Sequence, residues 1–395
     1  MDEKINMEKN ISNVNEGSCC GCEACVQKCP KKCISMKQDE RGFFVPVIDH
    51  HLCIQCGLCV KTCPELKSPE LYPVLATYAA VVKNLPELKA STSGGVFGVL
   101  SEYVLSKHGV VYGCAWDKKL SVHHVRIDRL EELNIIRQSK YIQSRIECSY
   151  LTAKEDAEGG MLVLYSGTAC QIAGLRKYLG RDYENILTVE IACHGVPSPG
   201  LFEKYIFWQE SHQRQKIVGF QFRSKDKHKK GEHFMFCMEL EKGQKKYGFS
   251  QEDPYYGSFL EGRTLRETCY HCKYKKQERV ADFLLSDYWG VEKEHPSFPA
   301  RYGASAVAIT TRKAKRIFEA IHDKLTIEDS TFDKMTIHNR SILSTVHCKE
   351  RDKLHTINSD SETLFKELKP VFSFRRRVKN LVPENLKTIF KRIKH

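Results

Sequence analysis

Residues 19–30 read CCGCEACVQKCP, and residues 53–64 read CIQCGLCVKTCP. Both stretches contain the spacing C-x2-C-x2-C-x3-C-P, and the two copies begin 34 residues apart. Three closely spaced thiolates can bind three corners of a cubane iron–sulfur cluster, while the fourth crosses over to the cluster of the other copy. The spacing therefore predicts one 4Fe-4S cluster on Cys19, Cys22, Cys25 and Cys63, and a second on Cys53, Cys56, Cys59 and Cys29.

The same spacing argues against a structural zinc site and against a disulfide framework. Structural zinc sites pair two C-x2-C arms and have no use for the third cysteine or the proline. A disulfide framework belongs to an oxidising compartment, whereas clusters need reduced thiolates. Residues 16–68 thus resemble a two-cluster ferredoxin, in which the apolar segment 42–48 covers the clusters and Cys20 and Cys33 are spare thiols.

A chain of 395 residues is too long for a ferredoxin alone and predicts two or three domains. Its hydrophobic content of 41% supports buried cores, and its charged content of 28% gives no reason to expect disorder. We divide the chain into a polar leader, the ferredoxin-type domain, two α/β segments and a basic tail, at residues 1–15, 16–68, 69–160, 161–350 and 351–395.

Neither a signal peptide nor a membrane span is predicted. The first residues are polar, and no apolar run approaches the roughly 18 residues that would cross a bilayer. Reduced cysteines then make the cytoplasm the expected location. The net charge of +13 is concentrated in residues 370–395, which hold eight Lys or Arg residues against one acid. We therefore expect no nucleic-acid partner for the body of the protein.

The basic tail also has helical periodicity. Leu386, Ile389, Phe390 and Ile393 are spaced i, i+3, i+4, i+7, and the lysines fall between them. A basic amphipathic helix of this kind is typical of peripheral contact with an anionic membrane surface. Since the segment spans only about three turns, the pattern favours a helix that packs on the body or on a partner subunit, and membrane contact stays open as the alternative.

Two strand–loop–helix units follow the ferredoxin-type segment. In the first, a strand at 76–83 leads to Ser93-Gly94-Gly95 and a helix, and a strand at 110–116 comes next. Free N–H groups at the start of such a helix can bind a phosphate or another anion. Many loops of this composition only turn the chain, so the loop alone does not identify a ligand.

The second unit places two further cysteines at the ends of neighbouring strands. Cys170 begins a helix after one strand and Cys193 follows the next strand, so both lie at the edge where α/β sheets build their sites. A distant Cys269-x2-Cys272 pair adds two more thiols. The four can hold a third iron–sulfur cluster, or they are two buried cysteines and a zinc half-site; spacing alone leaves both open.

Seven motifs, in order, resemble the coenzyme F420 hydrogenase/dehydrogenase beta subunit family: SGGVF (93–97), SKYIQS (139–144), SGTACQI (166–172), ACHGVPSP (192–199), FRSK (222–225), RETCYHCKY (266–274) and ADFLLSDYWG (281–290). That family includes the beta subunits of methanogen hydrogenase and formate dehydrogenase, and 7-hydroxymethyl chlorophyll a reductase. The resemblance covers roughly residues 16–350. The chain departs from the family at Ser286 and Tyr288, where Gly and Phe are frequent, but keeps Asp287 and Trp289.

The resemblance implies an FAD-binding α/β body and a third 4Fe-4S cluster close to the flavin. The cluster would take Cys170, Cys193, Cys269 and Cys272, and the flavin site would be lined by Ser93, Gly94, Gly95, Lys140, Tyr141, Thr168, Asp287 and Trp289. A cation near a flavin stabilises negative charge, although Lys140 also suits an ordinary surface position. His194 is a candidate proton donor, although such a histidine more often bonds to nearby backbone.

We therefore expect a ferredoxin-like two-cluster domain, a mixed α/β flavin-binding body and a short basic C-terminal helix. The expected function is an iron–sulfur flavoprotein oxidoreductase that passes electrons from a redox partner protein or small donor, through 4Fe-4S clusters and FAD, to a small organic substrate or deazaflavin-type coenzyme. The alternative is a non-catalytic electron-transfer subunit for a partner hydrogenase, dehydrogenase or reductase. A zinc-bound nucleic-acid protein is disfavoured by the cysteine triplets and the position of the basic charge.

Overall fold

The computed structural model describes residues 9–14, 16–225, 235–348 and 357–370. In this part of the chain the strands form a two-stranded sheet, a three-stranded sheet and an eight-stranded sheet. The predicted tail helix and most of the predicted leader lie outside the described residues. None of the described helices is long and apolar enough to cross a bilayer.

The strands are β1 (Ile34–Gln38), β2 (Phe44–Ile48), β3 (Ala76–Val82), β4 (Val110–Trp116), β5 (Val122–Ile127), β6 (Val163–Thr168), β7 (Ile186–Ile191), β8 (Ile217–Gln221), β9 (Met235–Leu240), β10 (Lys245–Phe249), β11 (Phe283–Asp287), β12 (Ser305–Ile309) and β13 (Leu325–Asp329). The helices are α1 (Ala24–Lys28), α2 (Leu58–Thr62), α3 (Leu85–Ala90), α4 (Val96–Ser106), α5 (Leu133–Ile136), α6 (Ser149–Glu158), α7 (Ala169–Leu179), α8 (Pro199–Gln213), α9 (Pro254–Leu260), α10 (Val291–Glu294), α11 (Arg312–Ala320), α12 (Phe332–Ile337) and α13 (Ser361–Leu368).

The eight-stranded sheet carries the body of the protein. Its strand order is β13-β3-β12-β11-β7-β6-β4-β5, and the central run β11-β7-β6-β4 is parallel. The carboxyl ends of these four strands therefore meet at one edge, where open α/β sheets bind ligands. Strands from 69–160 and from 161–350 pair with each other in this sheet, since β3 lies between β12 and β13 and β4 pairs with β6. The two predicted α/β segments thus contribute to one sheet.

Helices cover both faces of this sheet because side chains alternate along its strands. Val111 of β4 and Leu164 of β6 are buried in the core that includes α4. Their neighbours Tyr112 and Tyr165 are buried on the opposite face, in the core that includes α6 and α7. A third core, rich in aromatic residues, joins the three-stranded sheet to α8, α9 and α13.

The mixed α/β class and the ferredoxin-like N-terminal domain are confirmed, and several element boundaries differ from those that the sequence alone indicates. The apolar run at 161–165 indicates a strand there, and the observed strand β6 extends to Thr168, because its parallel ladder with β7 continues to the pair Thr168 and Ile191. The sequence at 312–324 indicates one helix, whereas α11 ends at Ala320 and is followed by a separate short 3-10 turn. The sequence at 281–285 indicates a strand, whereas the observed strand β11 is Phe283–Asp287, because Asp282 instead bonds to Thr188.

Candidate functional site

The ferredoxin-type domain contains two small cavities, and each is lined by one of the predicted sets of four cysteines. The first is lined by Cys19, Cys22, Cys25 and Cys63, and the second by Cys29, Cys53, Cys56 and Cys59. In each set the fourth cysteine comes from the other copy of the motif. The donor chemistry and the crossover fit two 4Fe-4S clusters.

Each cavity depends on a sharp turn that begins a one-turn helix. Gly57 precedes α2 with φ 72°, and Glu23 precedes α1 with φ 58°. A left-handed backbone is uncommon for a glutamate. The Glu23 carboxylate is held by four donors: Arg145 Nε at 2.6 Å, Arg145 Nη2 at 3.1 Å, and the backbone N–H groups of residues 146 and 147. Glu23 thus fixes the turn and docks the domain on the body.

The two predicted spare thiols are both buried beside the cavities of the ferredoxin-type domain. Cys33 lines the second cavity, and its Sγ lies 3.4 Å from Cys29 Sγ. Cys20 lines the first cavity and interacts with Cys170 of the body. Within the described residues, no three His, Cys, Asp or Glu side chains converge closely enough to hold a single metal ion. The four thiolates of a 4Fe-4S cluster bind different iron atoms, so they lie farther apart than the ligands of a single metal ion.

The third predicted cysteine set comes together from three parts of the chain. Cys170 lies in the first turn of α7, Cys193 follows β7, and Cys269 lies in a 3-10 turn that ends just before Cys272. Electrostatic interactions link Cys269 to the other three thiols. The set therefore lies at the carboxyl edge of the parallel strands, as expected from its sequence positions.

Burial keeps the free thiols of this set protonated. It raises the pKa of Cys193 and Cys269, and it raises the pKa of Cys272 to about 12. Thiolate ligands must lose these protons before they bind iron, so cluster assembly here releases protons.

A cavity of about 260 Å³ adjoins this cysteine set at the same edge of the sheet. That volume is just below the roughly 300–1,000 Å³ typical of small-molecule sites. Cys170 and Cys193 form part of its wall, together with six predicted flavin-site residues: Ser93, Gly95, Lys140, Tyr141, Thr168 and Asp287. Gly94 and Trp289 are not among the lining residues. Gly94 packs on Ser305, whose Oγ accepts a hydrogen bond from its N–H at 3.0 Å.

One end of the cavity is suited to an anion. The first turn of α4 follows Gly95, whose φ of 89° turns the chain into the helix. Helix N-termini offer free N–H groups and a partial positive charge. Arg137 lines the same end, and its Nε is buried with no hydrogen-bond partner among the described residues. A Cβ on Gly98 would lie 3.2 Å from Arg137 Nη2, so the glycine leaves room for the guanidinium. These groups fit the pyrophosphate of FAD.

Lys140 and Asp287 are held by other residues of the cavity wall. Lys140 Nζ donates to the backbone oxygen of Arg137 at 2.8 Å, and burial lowers the pKa of Lys140. Asp287 forms an ion pair with Arg223, which also lines the cavity. Arg223 belongs to the FRSK motif, but sequence reasoning did not assign it to the site.

Two histidines line the cavity, and burial lowers the pKa of both. His124 was missed from the sequence; its Nε2 lies 2.9 Å from the Ser166 carbonyl oxygen and its Nδ1 lies 3.0 Å from Ser144 Oγ. His194 Nε2 lies 3.2 Å from the Phe259 carbonyl oxygen. A carbonyl only accepts hydrogen bonds, so in each neutral ring the proton is on Nε2. His194 therefore makes the backbone bond that was the alternative to a role in proton transfer.

Comparison with known protein families gives two matches. Residues 160–334 match the family described as the C-terminal part of the beta subunit of coenzyme F420 hydrogenase/dehydrogenase. Residues 18–66 match the 4Fe-4S dicluster domain. The first match confirms the resemblance carried by the motifs, and the second supports iron–sulfur clusters in the N-terminal domain.

Two curated proteins match over short stretches. Ketoisovalerate oxidoreductase subunit VorC from Methanothermobacter marburgensis is 35% identical over 68 residues, which are 17% of this chain and 86% of that protein. One subunit of an ion-translocating oxidoreductase complex from Methanosarcina acetivorans is 35% identical over 57 residues, which are 14% of this chain and 20% of that protein. A solved chain of the F420-reducing NiFe hydrogenase complex from Methanosarcina barkeri has 18% identity and a TM-score of 0.44, and the match covers 69% of this chain and 90% of that chain.

Proposed function

Because residues 160–334 belong to the coenzyme F420 hydrogenase/dehydrogenase beta subunit family and residues 18–66 form a 4Fe-4S dicluster domain, we propose that this protein is an iron–sulfur flavoprotein oxidoreductase. Its reaction is the transfer of electrons from a redox partner protein or small donor to a small organic substrate or deazaflavin-type coenzyme. Bound clusters supply one-electron transfer, and FAD supplies the conversion to a two-electron, hydride-type reduction.

The observation that carries this proposal is the shared wall between the third cysteine set and the 260 Å³ cavity. Cys170 and Cys193 are on that wall, and the anion-binding end with Arg137 belongs to the same cavity. A flavin whose pyrophosphate binds at Arg137 and α4 would therefore occupy the same continuous cavity that Cys170 and Cys193 line. This arrangement suits the passage of electrons between a cluster and a flavin.

The chain's own residues have distinct tasks in this proposal. Arg137 and the first turn of α4 bind the pyrophosphate, and Lys140 adds a buried cation next to them. Tyr141 stacks on Phe259 with a centroid distance of 5.1 Å, which closes the cavity wall with apolar surface and excludes water there.

The second cysteine set is the proposed point where electrons reach the protein. Cys56 is exposed, and the neighbouring side chains of Leu52 and Ile54 are 54% and 58% exposed. Apolar side chains around an exposed redox centre suit brief contact with a partner protein. The first set lies between this surface and the body, since Glu23 next to it is bonded to Arg145.

The test is anaerobic reconstitution with iron, sulfide and FAD. We expect about twelve irons for three four-iron clusters, together with one FAD per chain and a flavin spectrum that bleaches when the clusters are reduced. A chain that binds about eight irons and no FAD under these conditions contradicts the proposal. A screen of organic acceptors and a deazaflavin coenzyme then identifies the substrate class.

A second candidate function is a non-catalytic electron-transfer subunit of a larger complex. It is favoured by the same exposed surface around Cys56, which offers a docking position for a partner. The reconstituted chain distinguishes the two functions. An enzyme reduces a small acceptor in repeated turnovers on its own, whereas a relay does so only after a partner enzyme is added.

A further inference from the structure

Lys275 lies directly beside the third cysteine set, three residues after Cys272. Its Nζ donates hydrogen bonds to the backbone carbonyl oxygens of Cys193 and Ser341. One of these acceptors belongs to the cysteine set itself. Lys275 therefore ties the loop after β7 to the segment that carries Cys272.

Within the part of the chain that the structure describes, Lys275 forms no ion pair with a carboxylate. Among the described residues, Lys275 interacts with the carboxylate of Glu190. That carboxylate already forms a fully buried ion pair with Arg279. Because this pair is neutral as a unit, Lys275 leaves one net positive charge at the site. Its other ionisable neighbours are the thiols of Cys193, Cys272 and Cys269 and the imidazole of His194.

A half-buried ammonium group facing neutral thiols loses hydration without gaining an opposite charge, which costs free energy. Four thiolates around a 4Fe-4S centre would reverse this balance, because the assembly is anionic and becomes more negative by one unit on reduction. A nearby cation stabilises the reduced state more than the oxidised state. The positive charge of Lys275 thus affects the reduction potential of a cluster bound by these cysteines.

We propose that Lys275 is a positioning residue that raises the reduction potential of the third cluster, an inference that rests on the proposed function supplying that cluster. Two features of Lys275 act together: its charge favours the added electron, and its bond to the Cys193 carbonyl fixes the loop that carries one ligand. A higher potential at this centre favours electron flow from the ferredoxin-type domain toward the cavity.

Three substitutions separate the charge from the hydrogen bonds. Lys275→Arg keeps both the charge and the donors, Lys275→Gln keeps a donor and removes the charge, and Lys275→Met keeps only the apolar stem. Lys276→Met is the matched control, because Lys276 is adjacent and exposed. The double variant Cys269→Ala/Cys272→Ala identifies which spectroscopic component belongs to the third cluster.

The measurement is a redox titration of the full reconstituted chain followed by electron paramagnetic resonance. For Lys275→Gln and Lys275→Met, the reduced-to-oxidised ratio of the third component at a fixed potential falls about tenfold, a shift of about 59 mV for one electron. Lys275→Arg and Lys276→Met leave it near the wild-type value, and the other two components do not move. Retention of the wild-type potential in Lys275→Gln, with iron content unchanged, overturns the inference.

A loss of iron in Lys275→Met is resolved by the other variants. If Lys275→Gln keeps its iron and its potential shifts while Lys275→Arg does not, the charge is responsible. An equal shift in Lys275→Gln and Lys275→Arg overturns the role of the charge. A wild-type chain with about eight irons, and no component lost in the double variant, instead contradicts the proposed function.

Discussion

Gly174 and Cys22 are in direct contact across the boundary between the ferredoxin-type domain and the body. A Cβ placed on Gly174 would lie 2.9 Å from Cys22 Cβ and 3.0 Å from its Sγ. Cys170 of the third set lies four residues earlier on the same helix, or about 6 Å along its axis. Helix α7 thus links two cysteine sets through a single helical turn.

Substitution of Gly174 should push these two sets apart. Gly174→Ala gains up to about 1 kcal/mol of helix propensity, which offsets part of an overpacking cost of about 1–3 kcal/mol. Gly174→Val has a larger side chain and gains less from helix propensity, so we expect clear destabilisation. The free energy of unfolding in urea, measured anaerobically, should decrease from wild type through Ala to Val. A Val variant as stable as wild type contradicts the contact.

Removal of the Glu23 charge should loosen the domain. Glu23 is 3% exposed and receives four hydrogen bonds, and loss of one partner of a buried ion pair costs up to about 3–5 kcal/mol. We expect the smaller part of that range for Glu23→Gln, because Arg145 is partly exposed. Urea unfolding and limited proteolysis near residue 70 measure the effect. Glu147→Gln, at an exposed neighbouring position, is the control and should change little.

Arg137→Met should weaken FAD binding through the pyrophosphate. Loss of a charged hydrogen bond to a phosphate corresponds to about 1.5–3 kcal/mol, or a tenfold or larger increase in Kd. Fluorescence titrations with FAD and with riboflavin distinguish the phosphate contribution to affinity from that of the flavin ring, since riboflavin has no phosphate. We expect FAD affinity to decrease and riboflavin affinity to stay the same. Arg129→Met, which alters an exposed arginine, is the matched control.

His124 should make stability depend on pH. Burial lowers its pKa to about 4, from an ordinary value of 6.5. Between these values the unfolded chain binds more protons, so stability is complete above about pH 6.5 and is lost as the pH decreases. At about 1.4 kcal/mol per pKa unit, the loss from pH 7.5 to 5 is about 2 kcal/mol.

His124→Gln should remove this part of the pH dependence. The comparison with wild type isolates His124 from Asp253, whose pKa burial raises to about 6 and whose contribution has the opposite slope. Urea unfolding at both pH values is the measurement. An identical pH dependence in the two proteins rules out this role for His124.

Substitution of Cys33 and Cys59 tests which of the cysteines at the second cavity are cluster ligands and which is a spare thiol. Cys59→Ser should remove about four irons per chain, whereas Cys33→Ser should remove none. Both cysteines line the same cavity, so they form a matched pair. Iron analysis after anaerobic reconstitution gives the answer, and a loss of iron in Cys33→Ser would reassign it as a ligand.

The sequence was most informative where local patterns determine the structure. The strand predicted at 110–116 has those bounds in the structure. A run of apolar and small residues between a glycine and an aspartate clearly marks where the strand begins and ends. For a similar reason, the eight cysteines of the two motifs line two cavities in the two groups that the sequence predicts. Their spacing alone determines which thiols can share a cluster.

Contacts between distant segments could not be predicted in this way. Glu23 and Arg145 are 122 residues apart, and Lys275 and Ser341 are 66 residues apart. Neither pair leaves a periodic signal, because each contact depends on how the ferredoxin-type domain and the loops dock after the sheet has formed. Arg137 was missed for the same reason, since its position in the cavity depends on the absence of a side chain at Gly98.

The strand order of the large sheet determines how much of the chain must be synthesised before that sheet can form. Strand β3 is made early, yet it lies between β12 and β13, which end at Ile309 and Asp329. The ribosome must therefore produce about 330 residues before the sheet that supports the cavity can close, whereas both N-terminal cysteine motifs are complete by residue 63. Domains generally fold in the order in which they are made. The two N-terminal cysteine motifs can thus fold while the rest of the chain is still being translated, and the cavity at the sheet edge can form only afterwards.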